Sequence, residues 1–226
     1  EIRSIGFPLS EDLIKREFLI AGGTIMGAEK ALDCGIAMNI AGGTHHAFPN
    51  HGEAFCLLND QAIGAQHLLD KGYAKKILIL DLDVHQGNGT ASIFKNNKDV
   101  FTCSVHGAKN YPFRKEVSDY DVSMEDNCSD SVYIEEIQSL LHKLYDKIVP
   151  DFIFYLCGVD ILESDKLGRL GMTITGCKKR DELVLSFCKE KGIPVQCSMG
   201  GGYSKDLRVI IEAHANTFRV AKTLFT

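Results

Sequence analysis

The 226-residue sequence has no tryptophan and only five prolines. No apolar run approaches the ~18–20 residues that a membrane-spanning helix needs. A basic block is also missing: 25 Lys and Arg stand against 30 Asp and Glu, for a net charge of −5. Binding to a phosphate backbone demands clustered cations, so direct nucleic-acid binding is not expected. Eight cysteines occur, at 34, 56, 103, 128, 157, 177, 188 and 197, but none forms a CxxC pair and the gaps are wide. That excludes a dense disulfide scaffold and points to thiols in a reducing compartment, cytoplasmic or, in a eukaryote, nuclear. Cys103, Cys157 and Cys197 lie in apolar runs, where cysteine packs as a small hydrophobe. Cys56, after Phe55 in a candidate site loop, is the one candidate for a reactive thiol, with burial as the plainer reading. There is no internal repeat, no low-complexity tract and no Walker or GxGxxG phosphate motif. No signal peptide is visible, and the chain opens on Glu1 rather than Met, so an upstream segment is expected.

The residues that are present form an ordinary globular mix, 45% hydrophobic and 24% charged, at a length that suits one generous domain. Short apolar runs at 36–41, 77–82, 100–105, 152–157 and 193–199 are nearly continuous in Val, Ile, Leu and Phe. Such runs predict parallel strands covered on both faces. Between them, 10–33, 55–70, 131–148, 176–191 and 205–224 carry helical periodicity, although Gly22 and Gly23 weaken the first. The stretch 106–130 is polar and reads as a long loop. The pattern predicts an α/β domain with one core.

Chemistry gathers where the apolar runs end. They are followed by Gly42-Gly43-Thr44-His45-His46, by Asp81-Leu82-Asp83-Val84-His85, by Ser104-Val105-His106, by Gly158-Val159-Asp160 and by Gly200-Gly201-Gly202-Tyr203. Open parallel sheets bind ligands outside the carboxyl ends of their strands, so five such ends point to one active site. In extended backbone the D-x-D-x-H spacing puts Asp81, Asp83 and His85 on one face. Two carboxylates and an imidazole suit a divalent metal such as zinc, with Asp160 as a further ligand; a helix N-cap cluster is the plainer alternative. His45-His46 on a loop can both face a site, and imidazoles transfer protons near neutral pH. One packed and one solvated histidine is the plainer reading of that pair. Tyr203, after a flexible glycine run, can donate to a developing oxyanion, or can pack in a turn. His67, His142 and His214 lie in helical segments and read as structural, while His51 and His106 are weak candidates for the rim.

Together these motifs resemble the zinc-dependent histone deacetylase family, which shares its fold with arginases. The matching segments are GGTHHAF at 42–48, HGEAFCLLND at 51–60, LDLDVHQGNGT at 80–90, CGVD at 157–160 and GGGY at 200–203, in the family's order across residues 5–224. Gln86 and Asn88, with HGAKNYPFRK at 106–115, are most similar to the class IV branch and its bacterial relatives.

The resemblance implies a three-layer α/β/α domain with a mainly parallel sheet, spanning 1–226 as one catalytic domain whose N-terminal part is missing. It implies zinc on Asp83, His85 and Asp160, His46 as general base and acid, and His45 as its electrostatic partner. Tyr203 would polarise the acyl carbonyl. Asp81 would orient His45, and Asn88 would orient His46 where class I members usually have Asp. Phe55 and Phe113 would flank a tunnel for lysine methylenes, with Leu167 at its wall and Gly202 among the substrate contacts. Structural potassium would bind at Asp81, Asp83, His85, Ser104 and Val105, and at an outer site of Phe94, Asn97, Val100 and Tyr120. Ala54 stands where the family often has Gly.

The implied activity is removal of acetyl or longer acyl groups from lysine side chains of a protein or peptide. Acetylpolyamines are an alternative substrate class; an acidic rim would favour them, whereas Lys109, Arg114 and Lys115 are basic. An arginase-like dimetal site needs extra carboxylates near His85, where Gln86 and Asn88 stand. A non-enzymatic binding module, or an inactive fragment, is the remaining reading. Oligomeric state is left open.

Overall fold

A computed structural model describes residues 2–226. The elements run in the order α1 (Ile2–Ile5), α2 (Glu11–Cys34), β1 (Ile36–Asn39), α3 (Asp60–Asp70), β2 (Ile77–Asp81), α4 (Asn88–Phe94), β3 (Val100–Gly107), β4 (Tyr120–Met124), α5 (Asp130–Ile148), β5 (Phe152–Leu156), α6 (Ile174–Lys191), β6 (Val195–Ser198) and α7 (Leu207–Phe225). The strands form one sheet in the order β1-β6-β5-β2-β3-β4, with every pairing parallel.

Alternation along the central strands builds the layers. Leu78 and Leu80 of β2, with Ile153 and Tyr155 of β5, pack into one core with α5, α6 and α7. Their neighbours Ile77, Ile79, Phe152 and Phe154 pack into a second core with α2 and α3, so the sheet separates two cores where one was expected. Each strand is therefore apolar on both faces, which is why these runs read as continuous. The result is the expected three-layer α/β/α arrangement.

The helices have physical reasons to begin and end where they do. Ser10 caps α2 by accepting from the Leu13 amide, and Gly35 ends it in a left-handed conformation at φ 81°. Gly23 and Gly27 do not break α2. A Cβ at Gly23 would lie 3.1 Å from the Asn39 side chain, and one at Gly27 3.4 Å from Gln196, so these glycines let α2 lie close on the sheet. Thr173 caps α6 by accepting from the Gly176 amide, and the helix runs to Lys191, where the predicted range also ends, with Gly192 as its left-handed cap.

Four further expectations need correction. The stretch 106–130 is not all loop: β3 continues to Gly107, and Tyr120–Met124 forms the edge strand β4. Only alternate residues of this strand turn inward, so the run is not continuously apolar. α3 starts at Asp60, capped by Asn59, rather than at 55. α5 starts at Asp130, with Ser129 at its N-cap, rather than at 131. α4 is a short helix hidden in the glycine-rich segment after His85.

Topology places the site. From β2 the chain moves outward to β3 and β4, then returns to β5 on the other side of β2. Strand order thus reverses between β2 and β5. The crevice outside their carboxyl ends is where an open sheet binds its ligand.

Candidate active site at the carboxyl ends of the strands

Asp83 and His85 follow β2, and Asp160 follows β5, so the reversal point holds all three. Strand β2 ends at Asp81, so alternation along a strand is not what groups the D-x-D-x-H residues. Two turns do it instead. Asp81 Oδ1 accepts from the Asp83 amide at 3.1 Å, and Asp83 Oδ1 accepts from the His85 amide at 3.0 Å. Asp81 is thereby aimed at His45, while Asp83 and His85 are aimed at Asp160.

His85 Nδ1 lies 3.1 Å from Asp83 Oδ1 and 3.1 Å from Asp160 Oδ2. The three residues are buried, and one ligand atom from each lies within 4.8 Å of the others. Burial disfavours a proton on His85, but the two carboxylates outweigh it and raise its pKa to about 10. Burial and the Asp83 charge raise Asp160 to about 7. Burial also works on Asp83, yet His45 and His85 hold its carboxyl well below the usual range. A single ring nitrogen has one proton to offer two carboxylates, and a divalent cation satisfies all three groups. The surrounding backbone leaves room for it. A Cβ at Gly158 would fall 2.3 Å from Asp83 Oδ2, and one at Gly201 2.1 Å from Asp160 Oδ2. The donor set, two carboxylates and an imidazole, fits zinc.

The histidine pair sits on the loop after β1, and Asp60 holds that loop. Its Oδ1 accepts from the Gly43 and Thr44 amides, each at 2.9 Å, and from Thr44 Oγ1. Its Oδ2 accepts from Thr24 Oγ1 and Ser198 Oγ. Gly42 and Gly43 have φ of 87° and 81°, and a Cβ at Gly43 would meet the Gly200 backbone at 2.7 Å. Only glycine allows this approach between two strand ends.

The two imidazoles lie 4.1 Å apart, centroid to centroid, and are buried. His45 Nδ1 is 2.6 Å from Asp81 Oδ2. Burial opposes a charge on His45, but Asp81 and Asp83 raise its pKa to about 9. His46 Nδ1 is 2.6 Å from Asn88 Oδ1. Burial and the His45 charge push His46 well below 6.5, so it is neutral and able to accept a proton. One ring is held cationic, the other neutral.

Both rings line a cavity of about 880 Å³ with Asp83, His85, Tyr203, Phe55, Phe113 and Leu167. Phe113 is 90% exposed, and Phe55 and Leu167 are also exposed at the mouth. Glu53 and Cys56 exchange backbone hydrogen bonds around Ala54 and Phe55, both at positive φ, and this tight turn presents the Phe55 ring. Tyr203 is tied by its amide to Asp165 Oδ2 at 2.6 Å, and burial raises its hydroxyl above the ordinary phenol value. Gly202 does not line the cavity; it faces Val159, Ile210 and His214. Cys56 is buried in the cavity wall, and burial pushes its thiol up, which disfavours the reactive thiolate. His106 is buried in β3, not at the rim.

Of the residues expected around potassium, Ser104 pairs in register with Asp81, and Val105 follows it. Phe94, Asn97 and Val100 share one turn into β3, where Asn97 Oδ1 accepts from the Val100 amide. Tyr120 lies opposite Cys103, further along β3.

Sequence reasoning missed several residues that support the site. Arg180 of α6 is fully buried. It donates to the carbonyls of Leu82, Cys157 and Gly158, and twice to Asp181 Oδ1. Glu53 accepts from Asn88 Nδ2 and from the Tyr111 hydroxyl. Asp60 is visible in the sequence only as part of a motif.

The histone deacetylase domain family matches residues 3–218. An uncharacterized protein of Picosynechococcus sp. is 44% identical over 223 residues, covering 99% of this chain and 74% of its own length. Histone deacetylase 2 of Arabidopsis thaliana is 32% identical over 202 residues, covering 88% of this chain and 52% of its own length. Histone deacetylase clr6 of Schizosaccharomyces pombe is 31% identical over 211 residues, covering 87% and 50%. The chain thus spans about half the length of these two deacetylases. The crystal structure of the HDA15 HD domain matches with a TM-score of 0.76 at 30% identity, covering 92% of this chain and 63% of that one.

Proposed function

Because this chain belongs to the histone deacetylase family, we propose that its site hydrolyses the amide of acylated lysine side chains, acting as one catalytic domain with zinc on Asp83, His85 and Asp160. The observation that carries this reading is the convergence of that ligand set, a neutral His46 and the Tyr203 phenol on one cavity with an aromatic mouth. Zinc bound there would supply Lewis acidity toward an acyl carbonyl and ease the deprotonation of water.

The remaining work falls to side chains. His46, with Nδ1 turned to Asn88, keeps Nε2 to take a proton from the attacking water and return it to the departing amine. His45, held cationic by Asp81, stabilises the negative charge that develops beside it. The Tyr203 hydroxyl stays protonated and donates to the carbonyl oxygen as that atom gains charge. Phe55, Phe113 and Leu167 enclose the lysine methylenes, which bury well against apolar walls.

The rim favours lysine over a polyamine. The charged residues lining the cavity outside the ligand set and the histidines are Arg16, Lys109, Lys166 and Arg169; Arg16 is paired with Glu17, and Lys109 and Arg169 share Asp126, which leaves a net basic rim that disfavours a polycation. Gln86, next to His85, donates to the Glu116 carbonyl and to Asp121 and is committed to the fold, which argues against a second catalytic metal there. Potassium would bind on the carbonyl-rich side of Asp81, Asp83, His85, Ser104 and Val105, and outside it at Phe94, Asn97, Val100 and Tyr120. The eight free cysteines, seven of them buried, support a reducing compartment such as the cytoplasm. No helix of the described residues is long and apolar enough to cross a membrane.

The test couples metal analysis to a panel of acetyl-lysine, longer acyl-lysine and acetylpolyamine substrates. We expect about one zinc per chain and turnover of the lysine substrates. His46→Ala and Tyr203→Phe each lower kcat by ~100-fold or more while zinc stays bound. Absence of stoichiometric zinc, or wild-type turnover by either variant, defeats the reading.

A further inference from the structure

An asparagine is an ambiguous partner for a histidine. Its amide can turn either the oxygen or the NH2 toward the ring, and the two orientations demand opposite tautomers. A carboxylate in the same place has no such ambiguity, because both its oxygens accept. Asn88 therefore needs something else to decide which way it points.

Glu53 supplies the decision. Asn88 Nδ2 lies 2.8 Å from Glu53 Oε1, while Asn88 Oδ1 lies 2.6 Å from His46 Nδ1. An ionised carboxylate only accepts, so the amide edge facing it must be the NH2. Glu53 is itself fixed. Its Oε1 also accepts from the Tyr111 hydroxyl, His51 Nε2 lies 3.4 Å from its Oε2, and its backbone is paired with Cys56. The Tyr111 ring stands edge-on to His46 with centroids 5.1 Å apart, closing the chain of contacts.

We propose that Glu53 is a positioning residue that locks the Asn88 amide and, through it, holds His46 as the tautomer with Nδ1 protonated and Nε2 free. The inference rests on the assignment of His46 as the proton-transfer group. Glu53 touches neither the ligand set nor the substrate path in this role; it acts through Asn88.

A charge swap tests the lock. In E53K an ammonium, which only donates, faces the amide and should turn Asn88 Oδ1 toward itself. That leaves NH2 against His46 Nδ1 and moves the ring proton to Nε2. A hydrolase histidine in the wrong tautomer costs up to ~10,000-fold, so kcat should fall at least ~100-fold. In E53K/N88D the new carboxylate accepts from both the introduced ammonium and His46 Nδ1, and kcat should return to within about ten-fold of the native protein.

The second readout is the 15N NMR tautomer pattern of His46 in metal-free protein, assigned against His46→Gln. It should show protonated Nδ1 in the native chain, protonated Nε2 in E53K, and protonated Nδ1 again in E53K/N88D. Retention of the Nδ1 proton in E53K overturns the lock, as does a double variant no better than E53K in both readouts. If the tautomer reverses and returns while kcat does not follow, the lock stands and the proton-transfer role of His46 falls.

Discussion

Replacing Arg180 with methionine should loosen the floor of the site and destabilise the whole domain. All five guanidinium N–H groups are used. Two bonds go to Asp181, at 3.0 and 2.9 Å, and three to the carbonyls of Gly158 at 2.6 Å, Leu82 at 3.3 Å and Cys157 at 3.3 Å. Leu82 lies between Asp81 and Asp83, and Gly158 lies two residues before Asp160, so one side chain ties together both segments that carry the ligand set. Methionine matches the stem but has no donor. It leaves the Asp181 carboxylate buried with only the Tyr155 and Thr217 hydroxyls as partners. Breaking one side of a buried ion pair costs about 3–5 kcal/mol. For a domain of this length each kcal/mol moves Tm by roughly 2–4 °C, so a fall of about 10 °C is expected. Arg180→Met with Asp181→Asn removes the stranded charge and should recover at least about 1 kcal/mol over the single variant. Thermal and urea unfolding of the zinc-free proteins measure this without any contribution from the metal. Zinc affinity by competition with a chelating dye should drop ~10–100-fold in Arg180→Met. A single variant that melts within about 2 °C of the native protein, or a double variant no more stable than the single, refutes the argument.

Three further outcomes follow from the geometry. Zinc binding at pH 7 should release at least one proton per ion, because His85, raised to about 10, and Asp160, raised to about 7, hold protons that the metal must displace. Calorimetry in buffers of different ionisation enthalpy reads this number, zero release contradicts it, and affinity should weaken as the pH falls. His106 and His214 are buried with pKa lowered to about 4, burial being the main cause in each. The unfolded chain therefore binds their protons more tightly, so this stability is complete above pH 6.5 and is lost as the pH falls toward 4, with about 2 kcal/mol lost per histidine between pH 7.5 and 5. Urea unfolding of a His106→Asn/His214→Asn variant should show a flatter profile in that window, and an unchanged slope counts against the assignment. Ala54 sits at φ 42° in the turn that presents Phe55, so Ala54→Gly should relieve strain and raise stability by roughly 0.5–1 kcal/mol. A lower Tm in that variant would show that the turn is not strained at this position.

The difference between what the sequence reveals and what it conceals follows from the distance over which each interaction acts. The ligand set and the histidine pair are legible because a parallel sheet makes its strands continuous apolar runs, and whatever polar chemistry follows such a run lies at one end of the sheet. Asp81, Asp83, His85 and Asp160 can be grouped before any fold is known. Strand alternation nevertheless fails as the reason that Asp81, Asp83 and His85 point where they do. Turns formed by their own carboxylates set their directions. Strand β4 is hidden for the opposite reason, since an edge strand with only one buried face leaves no continuous apolar run.

The supporting residues are illegible because their partners are remote in the chain and their side chains look ordinary on a helix or loop. Arg180 reaches back 98 residues to Leu82, and Ser198 reaches back 138 to Asp60. A basic residue at 180, beside Lys178 and Lys179, looks like part of a solvated face, yet it is the largest fully buried side chain among the described residues. Burying a guanidinium is tolerable only where every N–H is bonded, and the carbonyls that do this are those at the ends of β2 and β5. The cost of taking that charge out of water is therefore offset only when these two strand ends stand at the right separation. That requirement ties the stability of the domain to the geometry of its ligand set, and it explains how a site assembled from loops can be held without a cross-link.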